Sequence, residues 1–373
     1  MTSRHRTRSY GSVTGFYRTA PILPFSERTV SPLVSEVCDD IVGNFGGDNT
    51  FSLTYTRREP VTASFWGPTP NPAHYWDRYP CVPSRVVSAV SLPAAPSIGA
   101  LAATTCARTN PSRPSVLLPA FIFELRELPD LVRRLGRGAL RGAADVNLRY
   151  QFGIRPFLSD LKKLLHFQAS VERRVSEVMG LRKNGGSRSH YTISHDVASR
   201  TEARTLIQSS PVSLYRQSTV TTTRRIWGSA RWIPTEFTRQ VDSRELAAYT
   251  RRAVMGLTAS QVSLNLWEAL PWSWLVDWFT NTGDLLTGSN NSVATAAGPC
   301  CIMISTETED RGLITSDPLS GGRRLELSNQ TDVIKVGSKM RYLAYPAFTA
   351  SLPLLTGRQL SILGSLAAMR YRH

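Results

Sequence analysis

Lysine is scarce in this chain. Of 44 basic residues only five are lysines (Lys162, Lys163, Lys183, Lys335 and Lys339), and the rest are arginines. Histidine is sparse too: His5, His74, His166, His190, His195 and His373 are spread too widely to suggest a metal site. His190 and His195 have odd spacing on an expected strand and so point to opposite faces. The five cysteines, Cys38, Cys81, Cys106, Cys300 and Cys301, are odd in number and form no CxxC or Cys/His cluster of zinc spacing. They read as thiols of a reducing cytosol. No run of 18 apolar residues occurs, which argues against a spanning helix. The polar start Met1-Thr-Ser-Arg-His-Arg-Thr-Arg8 has no apolar core after it, so no secretory signal is expected.

Catalytic signatures are missing as well. There is no GxSxG elbow, Walker A loop or HExxH helix. No Gly-Asp-Asp occurs, the nearest string being Gly47-Asp48-Asn49, which weighs against an RNA polymerase. Gly136-Arg-Gly138-Ala-Leu-Arg-Gly142 has the look of a phosphate loop but follows a helical pattern rather than a strand. An enzyme is therefore the weaker class, and neither cofactor nor metal is expected.

What is present is positive charge. The 373 residues carry a formal +16, from 44 basic against 28 acidic side chains. Arginine grips phosphate bidentately and stacks on exposed bases, so a polyanionic partner is expected. A hydrophobic content of 41% supplies a sizeable core, and the length suits two or three domains.

The first 115 or so residues read as irregular or β-rich. Eleven of the 23 prolines fall between Pro60 and Pro119, where they oppose helices and central strands. Strands are expected at Phe51–Thr56 and Arg85–Leu92. Trp66, Tyr75, Trp76 and Tyr79, set among prolines, could anchor a binding loop or pack an irregular segment onto a sheet; packing is the preferred reading. From Phe121 the period becomes helical. The strongest helix runs from Pro156 to Leu181, with an apolar stripe at Phe157/Leu158, Leu161, Leu164/Leu165, Val171, Val175 and Val178. Lys162, Lys163, Arg173 and Arg174 fall on its opposite face. Residues 187 to 233 switch to period two, strongest at His190–Ser194 and Val220–Trp227. Helix returns at Asp242-Ser-Arg-Glu245, and Thr258-Ala-Ser-Gln261 is a capping box opening another helix. Strands are expected over 300–350, with turns at Gly321-Gly322 and Val336-Gly-Ser338, and a last helix over Gln359–Tyr371.

Asp277 sits inside Trp274-Leu-Val-Asp-Trp-Phe279, where its neighbours favour burial. A carboxylate there needs a partner. Catalysis is one explanation; a structural pair with an arginine is preferred. The basic surface has two candidate locations. The RNA-binding candidates are Arg133, Arg134, Arg137, Arg141, Arg149, Arg155, Lys162, Lys163, Arg173 and Arg174. The second group, Arg200, Arg204, Arg216, Arg224, Arg225, Arg231, Arg239, Arg244, Arg251 and Arg252, lies on the β insertion and the helix after it and could serve a shell, a receptor or solubility.

The stretch Asn265-Leu-Trp-Glu-Ala-Leu-Pro-Trp-Ser-Trp-Leu-Val-Asp-Trp-Phe-Thr-Asn-Thr-Gly-Asp-Leu285 resembles a signature of the maturation (A) proteins of single-stranded RNA bacteriophages. The matching positions are Trp267, Glu268, Pro271, Ser273, Val276, Asp277, Trp278, Phe279, Gly283 and Asp284. Phe152-Gly-Ile-Arg-Pro-Phe-Leu-Ser-Asp-Leu161 looks like the same family's upstream helix entry, through Gly153, Pro156 and Asp160. The N-terminal third matches in character only.

The resemblance implies a virion protein made in the host cytoplasm and carried in one copy per particle, where it replaces a coat-protein dimer. Its partners would be structured genomic RNA near the 3′ end, viral coat protein and a bacterial pilus, with no membrane span. The motif residues would be core rather than contact surface, and no receptor-contact residue is assigned. The alternative is a basic cellular RNA-binding or RNA-processing protein. The expected architecture is α+β: a helical bundle plus an elongated, mainly antiparallel β domain, discontinuous in sequence. The segments are 1–118 (β domain), 119–186 (helical), 187–240 (β insertion), 241–290 (helical), 291–352 (β domain) and 353–373 (the closing helix).

Overall fold

The computed structural model describes residues 2–18, 23–42, 48–67, 75–81, 87–114, 167–269, 273–319, 321–350 and 356–370. Strands and helices segregate instead of alternating as βαβ units, so the chain is α+β. Seven strands come first: β1 (Thr2–Tyr10), β2 (Val13–Arg18), β3 (Ser26–Val30), β4 (Val34–Val42), β5 (Phe51–Glu59), β6 (Val61–Trp66) and β7 (Tyr75–Cys81). Helices α1 (Ile98–Thr109) and α2 (Phe167–Lys183) follow, then β8 (Ser187–Thr201), β9 (Thr205–Gln208) and β10 (Leu214–Pro234). The helices α3 (Glu236–Gln240), α4 (Ser243–Val254), α5 (Val262–Ala269), α6 (Ser273–Asp277) and α7 (Thr282–Gly288) lead to β11 (Ala294–Ala296), β12 (Cys300–Ser316), β13 (Arg324–Leu327), β14 (Thr331–Ala344) and α8 (Gly357–Arg370). None of the described helices is long and apolar enough to cross a membrane.

One sheet has the order β1-β4-β5-β14-β12-β10-β11, with β8 and β9 also on β10; the other runs β13-β6-β7-β2-β3. The chain divides into two compact units. The first comprises residues 1–95, 192–227 and 302–343, the second 96–191, 228–301 and 344–373.

The sheet-rich first unit follows from strict alternation. Along β10, Leu214, Arg216, Ser218, Val220 and Thr222 are buried in turn, the period of a strand with one covered face. The core gathers Val61, Phe65, Trp76, Cys81, Val212, Leu214 and Ile314. Trp76 stacks on Tyr79 at 4.6 Å, and Tyr17 meets Tyr79 edge-on at 5.6 Å. Trp76 and its neighbours thus pack a sheet, while Trp66 stays half exposed. Arg216 falls on the buried row and is held by two buried carboxylates: its Nε donates to Asp332 Oδ1 at 2.8 Å, and its Nη2 lies 3.0 Å from Asp310 Oδ1.

Three expectations are corrected here. The described part of the Arg85–Leu92 segment, residues 87–92, is not strand; the Val90 N–H donates instead to Thr222 Oγ1 at 2.8 Å. Val336-Gly-Ser338 is not a turn but the middle of β14. Gly337 pairs with Tyr55 there, and a Cβ at Gly337 would lie 2.4 Å from the Tyr55 ring, so the glycine makes room for an aromatic. The supposedly irregular N-terminal region contains α1. Its Ala- and Thr-rich sequence is buried on nearly every side, so no polar face alternates with an apolar one to reveal the helix.

The second unit holds the helices. Ser97 caps α1 through the Ala100 N–H at 3.2 Å, and Asp242 caps α4 through the Arg244 N–H at 2.9 Å. Val178 of α2 packs with Leu246 of α4 and Val293. The expected capping box is present, the Thr258 N–H donating to Gln261 Oε1 at 3.3 Å. Phe121–Leu135 and the first half of the Pro156–Leu181 helix lie outside the described residues.

Candidate nucleic-acid interface

The buried stripe of α2 is Val171, Arg174, Val178 and Leu181, in steps of three and four. Arg174 therefore lies within the stripe, not on the polar face expected of it, and is 7% exposed. Its Nη1 donates to Glu177 Oε2 at 2.6 Å. Its Nε is buried and has no hydrogen-bond partner among the described residues. Arg173, on the exposed side, places its Nε 4.0 Å from the other Glu177 oxygen. Two guanidiniums thus share one carboxylate.

Two further arginines join them from the end of α1. Arg108 stands in its last turn, and Arg113 follows it. The Arg113 guanidinium is pushed down to about 10, first by burial and then by Arg174, with Arg108 and Arg173 adding to the effect; Glu177 opposes it. Burial likewise lowers Arg174, with Arg173 contributing. Both guanidiniums are thus partly withdrawn from water beside like charges.

A buried polar network fixes Arg113 in place. Its neighbour Ser112 is fully buried. The Ser112 carbonyl accepts from Gln261 Nε2 and Asn290 Nδ2, both at 3.2 Å, and its amide donates to Asn110 Oδ1 at 2.8 Å. Ser112 Oγ accepts from the Val293 N–H at 3.1 Å, and Asn110 Nδ2 reaches the Asn290 carbonyl at 2.8 Å. The capping box at Thr258 thus also anchors the chain that carries Arg113.

The tryptophan-rich motif forms α5, α6 and the start of α7. Asp277 is half-buried, and its described partners do not include the expected arginine. Its Oδ2 accepts from Trp267 Nε1 at 3.2 Å, and its Oδ1 from the Gly283 N–H at 3.1 Å. The carboxylate therefore serves the exposed amides at the start of α7, where negative charge is favoured. A Cβ at Gly283 would sit 3.0 Å from Asp277 Oδ2, tighter than ordinary packing. Asp284 Oδ2 accepts from Thr104 Oγ1 on α1 at 2.6 Å, and Ser273 is buried. Glu268, Trp278 and Phe279 are described as well, while Pro271 lies outside the described residues. Asp277 and Asp284 thus brace helices, whereas Glu268 and Val276 of the same motif are exposed.

Residues 130–310 match the family model of the phage maturation protein. That region belongs to the phage maturation protein family. The match covers both sequence motifs and α2 through most of β12. No curated protein matches the chain.

Of the ten RNA-binding candidates, Arg173 and Arg174 are described. Arg133, Arg134, Arg137, Arg141, Arg149, Arg155, Lys162 and Lys163 lie outside the described residues. Sequence reasoning missed Arg108 and Arg113, which precede the basic block and carry no motif. In the second basic group several charges are already answered within the first unit. Arg200 pairs with Glu202 at 3.0 Å, Arg224 with Asp196 at 2.9 Å, and Arg204 with Asp317 at 3.7 Å while lying over the Tyr215 ring. Arg244, Arg251 and Arg252 are exposed on α4, in the same unit as α2. The described residues contain no cluster of three or more His, Cys, Asp or Glu side chains able to hold a metal.

Proposed function

We propose that this chain is the RNA-anchoring and attachment protein of a single-stranded RNA phage particle. One copy replaces a coat-protein dimer and holds structured genomic RNA near its 3′ end through the helical unit. The sheet-rich unit adsorbs to a bacterial pilus, and the protein enters the host with the RNA. The observation that carries this reading is the imbalance around Arg113 and Arg174. Four guanidiniums (Arg108, Arg113, Arg173 and Arg174) gather there; Glu177 pairs with Arg173 and Arg174 and also acts on Arg113, inside or beside the family-matched region. An RNA phosphate supplies the missing negative charge, and arginine suits the shape and splayed bases of stem-loops.

Crosslinking in purified particles tests the proposal. One copy per genome, joined to defined 3′ stem-loops through the helical unit, is the expected result. Absence from particles, or crosslinks spread evenly along the genome, would instead favour a basic cellular RNA-binding protein. Replacing Lys162, Lys163 and Arg173 with Glu should reduce RNA retention while adsorption persists.

A further inference from the structure

Cys106 on α1 and Cys300 at the first position of β12 come from chain segments 194 residues apart, yet their sulfurs lie 2.8 Å from each other. Both residues are buried, 2% and 0% exposed. Cys300 Sγ also lies 3.8 Å from the Ala102 carbonyl, one turn before Cys106, so it sits over a single face of α1. The surroundings are small and dry: Ala102, Ala103 and Ala107 are buried, and at Gly288 an added Cβ would press on Cys106 Cβ at 3.2 Å. None of the five cysteines is in a disulfide. A bond would require the sulfurs to close to about 2.05 Å, a shift smaller than one ångström.

We propose that Cys106 and Cys300 form a dithiol latch that closes to a disulfide once the protein leaves a reducing compartment, with a small peroxide as the oxidant. The Cys106 sulfur attacks one peroxide oxygen. The O–O bond breaks, and the departing hydroxide leaves as water with the thiol proton. Cys300 then attacks the resulting sulfenic sulfur; the S–O bond breaks and a second water leaves. Two thiols are oxidised and one hydrogen peroxide is reduced to two waters. The contact with Cys300 holds the Cys106 thiol below its ordinary range in spite of burial, which favours Cys106 as the attacking sulfur. Cys301 is set apart, its Sγ taking a hydrogen bond from Arg188 Nη2 at 3.5 Å. Closing a loop this long restricts the unfolded chain and ties α1 to β12. The timing of closure rests on the virion reading above; the chemistry of the pair does not.

The test starts from the purified full chain, reduced and then exposed to hydrogen peroxide. After unfolding, remaining thiols are alkylated and peptides are mapped without reduction. The expected product is one crosslinked peptide pair joining Cys106 to Cys300, with Cys38 and Cys81 alkylated, and a melting temperature several degrees above that of the reduced chain. Cys106→Ala and Cys300→Ala should each abolish both the crosslink and the shift. Full alkylation of Cys106 and Cys300 after peroxide, or a crosslink through Cys301 instead, overturns the latch. The same mapping on acid-quenched infected cells and on particles should find thiols in the first and the disulfide in the second. Thiols in both would overturn the proposed closure. A chain absent from particles that still crosslinks when purified would defeat the virion reading and leave the latch standing.

Discussion

Trp267 donates its indole N–H to Asp277 at 3.2 Å, and the other oxygen of the same carboxylate takes the Gly283 amide at 3.1 Å. One acid thus joins α5, α6 and α7. Removing it leaves two donors unanswered, so Asp277→Ala should cost about 1–3 kcal/mol. Thermal unfolding of the purified chain reads this directly. Melting within a degree of the unmodified chain would show that the aspartate braces nothing. Gly283→Ala should act in the same direction, because its Cβ presses on that carboxylate.

Arg216 is a sharper case in the other unit. Both of its carboxylate partners are buried, so Arg216→Ala abandons two acids in the sheet interior. A loss of about 3–5 kcal/mol is expected for a broken buried pair. Urea unfolding should show a lower midpoint, and replacing Arg216, Asp310 and Asp332 together with apolar residues should recover much of the loss. If the triple variant is no better than Arg216→Ala, the charges are not the cause.

Tyr55 supplies a pH signature. Burial, with a hydrogen bond to Glu307 second, pushes its hydroxyl up to about 12. The neutral ring is favoured in the fold, so this contribution is fully present below pH 10. It is lost as pH rises from 10 towards 12, where the unfolded chain ionises first. Alkaline titration of stability should be flatter in Tyr55→Phe across that window. Identical slopes would remove the argument.

The RNA reading predicts a salt effect. Replacing Arg108, Arg113 and Arg173 with Gln should weaken binding of structured RNA. The log–log salt slope should flatten by about 0.7 for each phosphate no longer neutralised. Arg200→Gln and Arg204→Gln, whose charges are paired within the sheet-rich unit, should leave the slope unchanged. Equal effects from both sets would mean that binding follows net charge alone.

Much of this organisation is legible in the residues themselves. Alternation over Val220–Trp227 marks β10, and Thr258-Ala-Ser-Gln261 marks its helix start. Arg174 escapes such reading because a charged residue is assigned outward by default, although its spacing from Val171 and Val178 puts it inward. Asp277 invites an arginine because charge suggests charge, yet an indole and a backbone amide satisfy it. Arg113 carries no local sign of belonging to a site. Its position depends on Ser112, Gln261 and Asn290 meeting across more than 140 residues, and no local pattern encodes that.

The central claim is that the helical unit of this protein holds genomic RNA through its arginines. Ultraviolet crosslinking of intact particles, followed by peptide and nucleotide mapping, tests it most directly. The account predicts crosslinked peptides around Arg108–Arg113 and Arg173–Arg174 joined to a few stem-loops near the 3′ end. Crosslinks confined to the sheet-rich unit, with these arginine peptides recovered unmodified, would contradict it.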